Sequence, residues 1–456
     1  MCEPSLSLRE PRAAVRVTAR VAGTVAALLL SACSPPGLAP TAPASFAGGQ
    51  GTAGPVATAT SPTPTPTVAP LPDPKVLAAR LNKVSRAGIG RSGTVVLAAD
   101  GTVLNRRGDR PFAPASTMKL LTALTAVDIL GADHRFTTRV VATGKGRVVL
   151  VGGGDPLLTD KRSKAASRPA SLQVLAARTA AALSASGVEK VSLGYAADLF
   201  TGPDFSPAWK PRWRSYLARV SPLVVDGGVY NQWQSHQNPA RTAAEAFAKR
   251  LRAAGIKVTA VRPAGSPTTG TELAAVESAP LAAVVARTLK LSDNLAAEVL
   301  ARHAALAAGR KASFTGASAT IKAWLVDHGL WADGMRIIDG SGLAGSGRIT
   351  PGVLAGAVHL ALGSERLLPV ADGLPVAGRS GTLKDRFDDK SERVARGNVH
   401  AKTGTLAGIS SLAGYLTTAD GARLVFAAMA NDASGQTTAY NWLDRSVATL
   451  VRCGCR

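Results

Sequence analysis

From Gly93 to Leu104 the chain reads Gly-Thr-Val-Val-Leu-Ala-Ala-Asp-Gly-Thr-Val-Leu, two β-prone runs split by Asp100-Gly101. That dipeptide suits the positive backbone angles of a tight hairpin turn, so the segment predicts two antiparallel strands. The pattern returns from Ser411 to Met429, turning at Asp420-Gly421, and is followed by an apolar, helix-forming stretch from Thr438 to Val451. The first and last folded segments can therefore share one antiparallel sheet. Between them, Met118 to Ile129 and Leu295 to Leu306 are rich in Ala and Leu and predict helices. From about Arg135 to Arg262 the texture changes. Short β-like runs such as Val148 to Val151 alternate with helical patterns over Leu172 to Ala185 and Thr242 to Ala254. An α+β chain is expected, with a main body over residues 75–135 plus 263–456 and inserted material over 136–262.

The N-terminus reads differently. Arg9, Arg12, Arg16 and Arg20 precede an apolar run from Val21 to Leu30, too short to span a bilayer but suited to the core of a signal peptide. The run ends in Leu30-Ser31-Ala32-Cys33, which resembles a bacterial lipobox. Residues 1–33 are therefore expected to be a leader, with the Cys33 thiol accepting lipid. Ordinary cleavage in this small-residue stretch, leaving Cys33 a free thiol, is the alternative. Residues 34–74 are Pro, Thr, Ala, Ser and Gly, too poor in large apolar groups to offset the entropy of folding. A proline-stiffened linker would hold the folded body away from a membrane anchor.

With 46% hydrophobic and 18% charged residues in 456, the chain can bury a sizeable core. Lys and Arg number 53 against 30 Asp and Glu, a formal charge of +23 that favours anionic surroundings. A nucleic-acid reader would interleave its basic residues with aromatics, but aromatics are 4% here and the basic residues are scattered, so no nucleic-acid partner is expected. Of four cysteines, Cys453 and Cys455 are one residue apart, a spacing at which a mutual disulfide would be strained, and no cysteine pair is expected to staple the core. There is no C-x-x-C or H-E-x-x-H, so neither a metal nor another cofactor is expected.

Three short motifs occur in order: Ser116-Thr-Met-Lys119, Ser292-Asp-Asn294 and Lys402-Thr-Gly404. An S-x-x-K alone is expected roughly once in a chain of this size, but S-D-N and K-T-G are rarer and the ordered trio is the signature of active-site-serine penicillin-recognising enzymes. Ser116 opens a helical run, and Lys119, at i+3, shares its face. A lysine amine so placed can take the serine proton, provided that burial and the charge of Lys402 hold it neutral. Alone, the motif reads first as an N-capping serine with a solvated lysine. Ser292 can relay a proton and Asn294 can hold a peptide amide, although this cluster also makes a good helix N-cap. Lys402 lies in an extended run from Val399 to Thr405 where it and Thr403 can bind a carboxylate. Gly404 would let a ligand approach as an added strand, and a plain edge strand with a protective lysine is the alternative. Backbone N–H groups of Ser116 and Thr405 are the expected oxyanion hole. Asp155, Asp339 and Arg386 sit in turn-forming sequence and are read as turn chemistry.

The segments Pro114 to Leu121, Leu291 to Arg302, Asp339 to Leu343 with Arg348 to Pro351, Gly378 to Phe387, His400 to Gly408 and Val151 to Pro156 resemble the D-alanyl-D-alanine carboxypeptidase/endopeptidase family of class C low-molecular-mass penicillin-binding proteins. The resemblance implies a serine β-lactamase/transpeptidase-like fold, with an antiparallel sheet flanked by helices and an inserted smaller domain. It also implies catalysis by Ser116, Lys119, Ser292, Asn294 and Lys402, with Thr403 and Gly404 in the binding strand. The implied substrates are peptidoglycan stem peptides, with β-lactams as covalent inhibitors of an exported enzyme. The lipobox is not part of the resemblance, and lipidation at Cys33 would hold the enzyme at the membrane facing the wall. A β-lactamase is the nearest rival, disfavoured by the long Ser116-to-Ser292 spacing and the lack of an obvious Glu-x-x-x-Asn.

Overall fold

A computed structural model describes residues 69–454 apart from 216 and 232. The expected leader, Cys33 and nearly all of the linker lie outside the described residues. Regular structure starts at α1 (Pro74–Asn82), where the Asp73 carboxylate accepts hydrogen bonds from the N–H groups of Lys75 and Val76 and a proline opens the first turn. Among the described residues no helix is long and apolar enough to cross a membrane.

The first hairpin is β1 (Ile89–Ala98) and β2 (Val103–Arg107), turning at Asp100-Gly101. The last three strands are β10 (Val399–Leu406), β11 (Ile409–Thr417) and β12 (Arg423–Ala433). All five form one antiparallel sheet in the order β10-β11-β12-β1-β2, so both ends of the folded chain complete it, as the hairpin patterns predict.

Both faces of this sheet are covered. Side chains alternate across a strand, and here Val95 and Leu97 face one apolar cluster while Val96 and Ala98 face another. The first cluster receives α2 (Met118–Leu130), α5 (Leu281–Leu291), α6 (Asn294–Ala307), α7 (Phe314–Asp327), α8 (Pro351–Leu362) and α9 (Leu368–Asp372). The second receives α10 (Gln436–Val451) through Trp442, Leu443 and Val447, and α1 through Leu77. α2 is buried nearly all round, from Met118 to Val127, which is why its sequence is apolar without a polar stripe.

A second five-stranded sheet interrupts the chain. It contains β3 (Thr137–Gly144), β4 (Arg147–Val151), β5 (Lys190–Ala196), β8 (Lys257–Pro263) and β9 (Thr271–Glu277), ordered β8-β5-β4-β3-β9. The strands β4, β5 and β8 run parallel, linked by crossover helices α3 (Leu172–Ala185) and α4 (Pro239–Ala253). A small ribbon, β6 (Val229–Asn231) with β7 (Gln234–Ser235), precedes α4. The sequence boundary at Arg262 needs correction. The sheet extends to Glu277 because β9 returns to pair antiparallel with β3 before the chain re-enters the main body at α5. A second correction concerns cysteine: Cys453, buried just beyond α10, is disulfide-bonded.

The segment leading into β10 is tied to α10 by Arg386, whose Nε and Nη2 donate to the Asp444 carboxylate at 2.8 and 2.5 Å. Burial raises the Asp444 pKa even with Arg386 opposing it, so this pair fastens the two elements without adding much net stability. Removing one half leaves the other charge without compensation. Asp444→Ala is expected to lower the unfolding free energy by about 3 kcal/mol, read as a shifted urea midpoint at unchanged slope. An unshifted midpoint would show that the guanidinium finds water instead.

Candidate active site

Ser116 sits in a single 3-10 turn, Ala115–Thr117, that leads into α2. Ala115 has φ 48°, unusual for a residue with a side chain, and the turn is held from outside. The Pro114 carbonyl accepts the hydroxyls of Thr117 at 2.7 Å and of Ser411 on β11 at 2.6 Å. From the other side comes the loop after Asp339. A Cβ on Gly342, which has φ 78°, would stand 1.8 Å from the Ala115 carbonyl oxygen. Only glycine permits both that angle and that approach.

Lys119, the second residue of α2, is 1% exposed. Its Nζ lies 2.8 Å from Ser116 Oγ, 2.7 Å from Asn294 Oδ1 and 2.7 Å from the Ser341 carbonyl oxygen. These three partners differ in kind. Asn294 Oδ1 and the Ser341 carbonyl can only accept, whereas a hydroxyl can donate or accept. A neutral amine with two N–H bonds spent on the two acceptors keeps its lone pair for the Ser116 proton.

The second motif divides its labour. Asp293 caps α6, accepting from the Ala296 N–H at 3.0 Å, as the N-cap alternative anticipates. Ser292, in left-handed conformation at the end of α5, turns towards Lys402, and Asn294, the first residue of α6, turns towards Lys119. Lys402 on β10 is fully buried, and its Nζ donates to Ser292 Oγ at 3.0 Å and to the Thr403 carbonyl at 2.7 Å. Two amine–hydroxyl pairs, Lys119–Ser116 and Lys402–Ser292, thus face one open cleft of about 370 Å³ lined also by Thr382, Arg386, Thr403, Thr405 and Tyr440.

β10 is an edge strand. The Ala401 N–H on its outer side donates to the Pro375 carbonyl, so by the two-residue alternation the Thr403 and Thr405 N–H groups point to the same side, towards the cleft. The Gly404 expectation changes in detail. A Cβ there would meet Ser411 Oγ at 2.2 Å, the Pro114 carbonyl oxygen at 2.6 Å and the Thr117 nitrogen at 2.9 Å. The missing side chain therefore lets the strand close on the Ser116 turn, away from an incoming ligand.

Burial governs the charges. It pulls the Lys119 pKa down to about 8, with the carboxylates of Asp339, Glu298 and Asp293 opposing. Lys402 is held well below its ordinary value, first by burial and then by the charge of Lys119. The like-charge effect expected to lower Lys119 thus falls on Lys402, whose surroundings offer no carboxylate to offset it.

Sequence reasoning missed the support beneath Lys119. Glu298, fully buried one turn beyond Asn294 on α6, accepts the Ser341 N–H at 2.8 Å and the Gly340 N–H at 3.2 Å. The Asp339 carboxylate accepts the N–H groups of Gly342 and Ala344 at 2.7 and 2.8 Å and the indole Nε1–H of Trp209 at 2.7 Å. The two carboxylates fold the loop so that the Ser341 carbonyl points at Lys119. Burial and Asp339 push the Glu298 pKa up to about 7, and burial raises Asp339. A signal existed: Asn294, Glu298 and Arg302 recur every four residues along a helix that is apolar elsewhere except at His303, one polar stripe. Asp155 accepts the Leu157 N–H at 2.8 Å, a turn contact, and Arg386 pairs with Asp444 at the cleft wall.

A sequence model described as the D-Ala-D-Ala carboxypeptidase 3 (S13) family matches residues 75–232 and 231–450. Carboxypeptidase Rv3627c of Mycobacterium tuberculosis is 35% identical over 365 residues, covering 77% of each chain. Carboxypeptidase DacB of Mycolicibacterium smegmatis is 35% identical over 382 residues, covering 80% of this chain and 81% of its own. In fold, the chain is similar to penicillin binding protein 4 (dacB) of Haemophilus influenzae, with a TM-score of 0.70 at 21% identity over 81% of this chain and 98% of that one.

Gly404→Ala forces a methyl group against the Pro114 and Thr117 backbone and the Ser411 hydroxyl. It is expected to cost about 1–3 kcal/mol, read as a lowered thermal midpoint. An unchanged midpoint would mean that β10 and the Ser116 turn can separate freely.

Proposed function

The chain belongs to the D-Ala-D-Ala carboxypeptidase 3 (S13) family, and from that premise we propose that Ser116 is the nucleophile of a penicillin-binding serine peptidase acting on the D-alanyl-D-alanine ends of peptidoglycan stem peptides. Lys119 takes the Ser116 proton as Oγ bonds to the carbonyl carbon of the scissile peptide. The C–N bond breaks, and the proton that Lys119 took from Ser116 is passed by way of Ser292, whose hydroxyl Lys402 holds in place, to the leaving amine, so that Lys119 is neutral again. Water then cleaves the ester, releasing the shortened peptide as a carboxylic acid and restoring the serine hydroxyl.

The free edge of β10 supports binding of the peptide as an added strand, with the Thr403 and Thr405 main chain facing it. A substrate carboxylate arriving beside Thr403 would supply the counter-charge that Lys402 lacks and favour its protonation. The N–H groups of Ser116 and Thr405 would hold the oxyanion. A β-lactam would acylate the same serine, its ring amide standing in for the peptide. The observation that carries this reading is the threefold environment of Lys119 Nζ, whose two fixed acceptors leave the lone pair for Ser116.

Such a substrate lies outside the cytoplasm, in keeping with the leader-like N-terminus. The Leu30-Ser31-Ala32-Cys33 pattern supports lipidation at Cys33, which would tether the enzyme to the membrane with residues 34–74 as its spacer.

Ser116→Ala is expected to abolish covalent penicillin labelling and to slow D-alanine release by roughly 10⁴-fold or more. Wild-type release by this variant would refute the assigned nucleophile. In the wild-type enzyme the base is the neutral amine, so lowering its pKa extends activity downward in pH. The rate of penicillin acylation should therefore rise with pH and reach half its maximum near the Lys119 value of about 8. A flat profile from pH 6 to 10, in the same stopped-flow assay, would exclude a titrating lysine base.

A further inference from the structure

The two threonine hydroxyls of β10 that open on the cleft each have a hydroxyl partner from another element. Thr403 Oγ1 lies 2.7 Å from Thr382 Oγ1, and Thr405 Oγ1 lies 2.9 Å from the phenol oxygen of Tyr440. All four residues line the same cleft as Ser116 and Ser292. The acyl-transfer steps leave Thr382 and Tyr440 without a task.

Both partners are held firmly by their surroundings. Thr382 stands in a 3-10 turn, Gly381–Leu383, packed on the end of α5. Gly381 has φ 58°, and a Cβ there would stand 2.5 Å from the Lys290 carbonyl oxygen, so glycine lets the turn sit that close to the helix. Tyr440 is the fifth residue of α10, four before Asp444 and so on the same face. Arg386 is clipped between them, with two nitrogens on the Asp444 carboxylate and its guanidinium carbon 4.1 Å from the centre of the Tyr440 ring. The ring cannot swing away from Thr405 without breaking that stack.

Hydrogen-bond direction decides what these pairs do. A hydroxyl has one proton to give, and a carboxylate can only accept. For Thr403 and Thr405 to donate to a bound carboxylate while keeping their partners, each must accept from its neighbour. The proton within each pair then belongs to Thr382 and to Tyr440. A hydroxyl that accepts one bond donates its own proton more strongly, so each pair polarises towards the cleft. Arg386 is already matched by Asp444, which leaves Lys402 and these two hydroxyl chains to meet an anion.

Given the peptidase reading, on which this rests, we propose that Thr382 and Tyr440 are positioning residues: they turn the hydroxyls of Thr403 and Thr405 outward as donors and so select substrates whose leaving residue carries a free carboxylate. An amide in place of that carboxylate sets N–H against O–H and gains less from both chains.

The test is competition with a fluorescent penicillin for Ser116, using an N-acetylated peptide that ends in D-Ala-D-Ala and its C-terminal amide as competitors. Tyr440→Phe keeps the ring against Arg386 and removes only the phenol oxygen, whereas Thr382→Val keeps the shape and removes only the hydroxyl. In each variant the acid should compete about fivefold more weakly, the worth of one neutral hydrogen bond, while the amide changes by less than about twofold. Thr382→Ser, which restores a hydroxyl, should behave like the wild type. The amide is also the control for folding, since a damaged cleft weakens both competitors.

Equal weakening of acid and amide would mean that the pairs only brace the strand, and would overturn the assignment. So would undiminished competition by the acid, or a Thr382→Ser variant that behaves like Thr382→Val. A wild-type protein that takes no penicillin label would instead overturn the peptidase reading and this assignment with it, so the two failures are told apart.

Discussion

The desolvation of one amine, Lys119 Nζ, sets the terms for everything around it. An ammonium group in water has little reason to release a proton near neutral pH, so a lysine base must be taken out of water and given fixed partners before it can act. The fold does both. α2 is buried nearly all round, which removes water from the amine, and three elements that meet there supply a hydroxyl, a side-chain amide and a main-chain carbonyl. Burial alone would drive the pKa further. The carboxylates of Asp339, Glu298 and Asp293 limit the fall to about 8, near the working range of a general base.

That arrangement is expensive in isolation. Glu298 and Asp339 are both buried, and each raises its own pKa partly through burial. Their cost is offset by backbone N–H groups that turn inward to meet them, and the same turn aims the Ser341 carbonyl at Lys119. Trp209 joins the interrupting segment to this arrangement through its bond to Asp339. The segment between β5 and α4 thereby contributes to the surroundings of Lys119 without touching it.

The sheet and its hairpins were legible in the sequence because turn dipeptides and alternating apolar runs report local geometry. Five helices were legible in their composition and periodicity, and α2, α3, α4, α6 and α10 fall within a few residues of their predicted ranges, whereas α1, α5, α7, α8 and α9 were not singled out. What could not be read was long-range closure. β9 belongs to the second sheet through pairing with β3, more than a hundred residues earlier, and nothing local announces it. Gly404 looked like a concession to a ligand, whereas its neighbours across the chain, Pro114, Thr117 and Ser411, require it. Ser341 acts through its carbonyl, which no side-chain motif encodes. Glu298 was visible only as one polar position in a helical stripe. The motif residues Ser116, Lys119, Ser292, Asn294 and Lys402 stood out because their chemistry resides in side chains at fixed spacing, and the structure brings all five to one place.

The most direct measurement is an NMR titration of lysine side chains labelled with carbon-13 and nitrogen-15, with the Lys119 signal assigned by its loss in Lys119→Arg. A transition near pH 8 is predicted, far below the 10.5 of an ordinary lysine. A Lys119 signal that titrates with the surface lysines near 10.5 would contradict the claim that burial prepares this amine as a base.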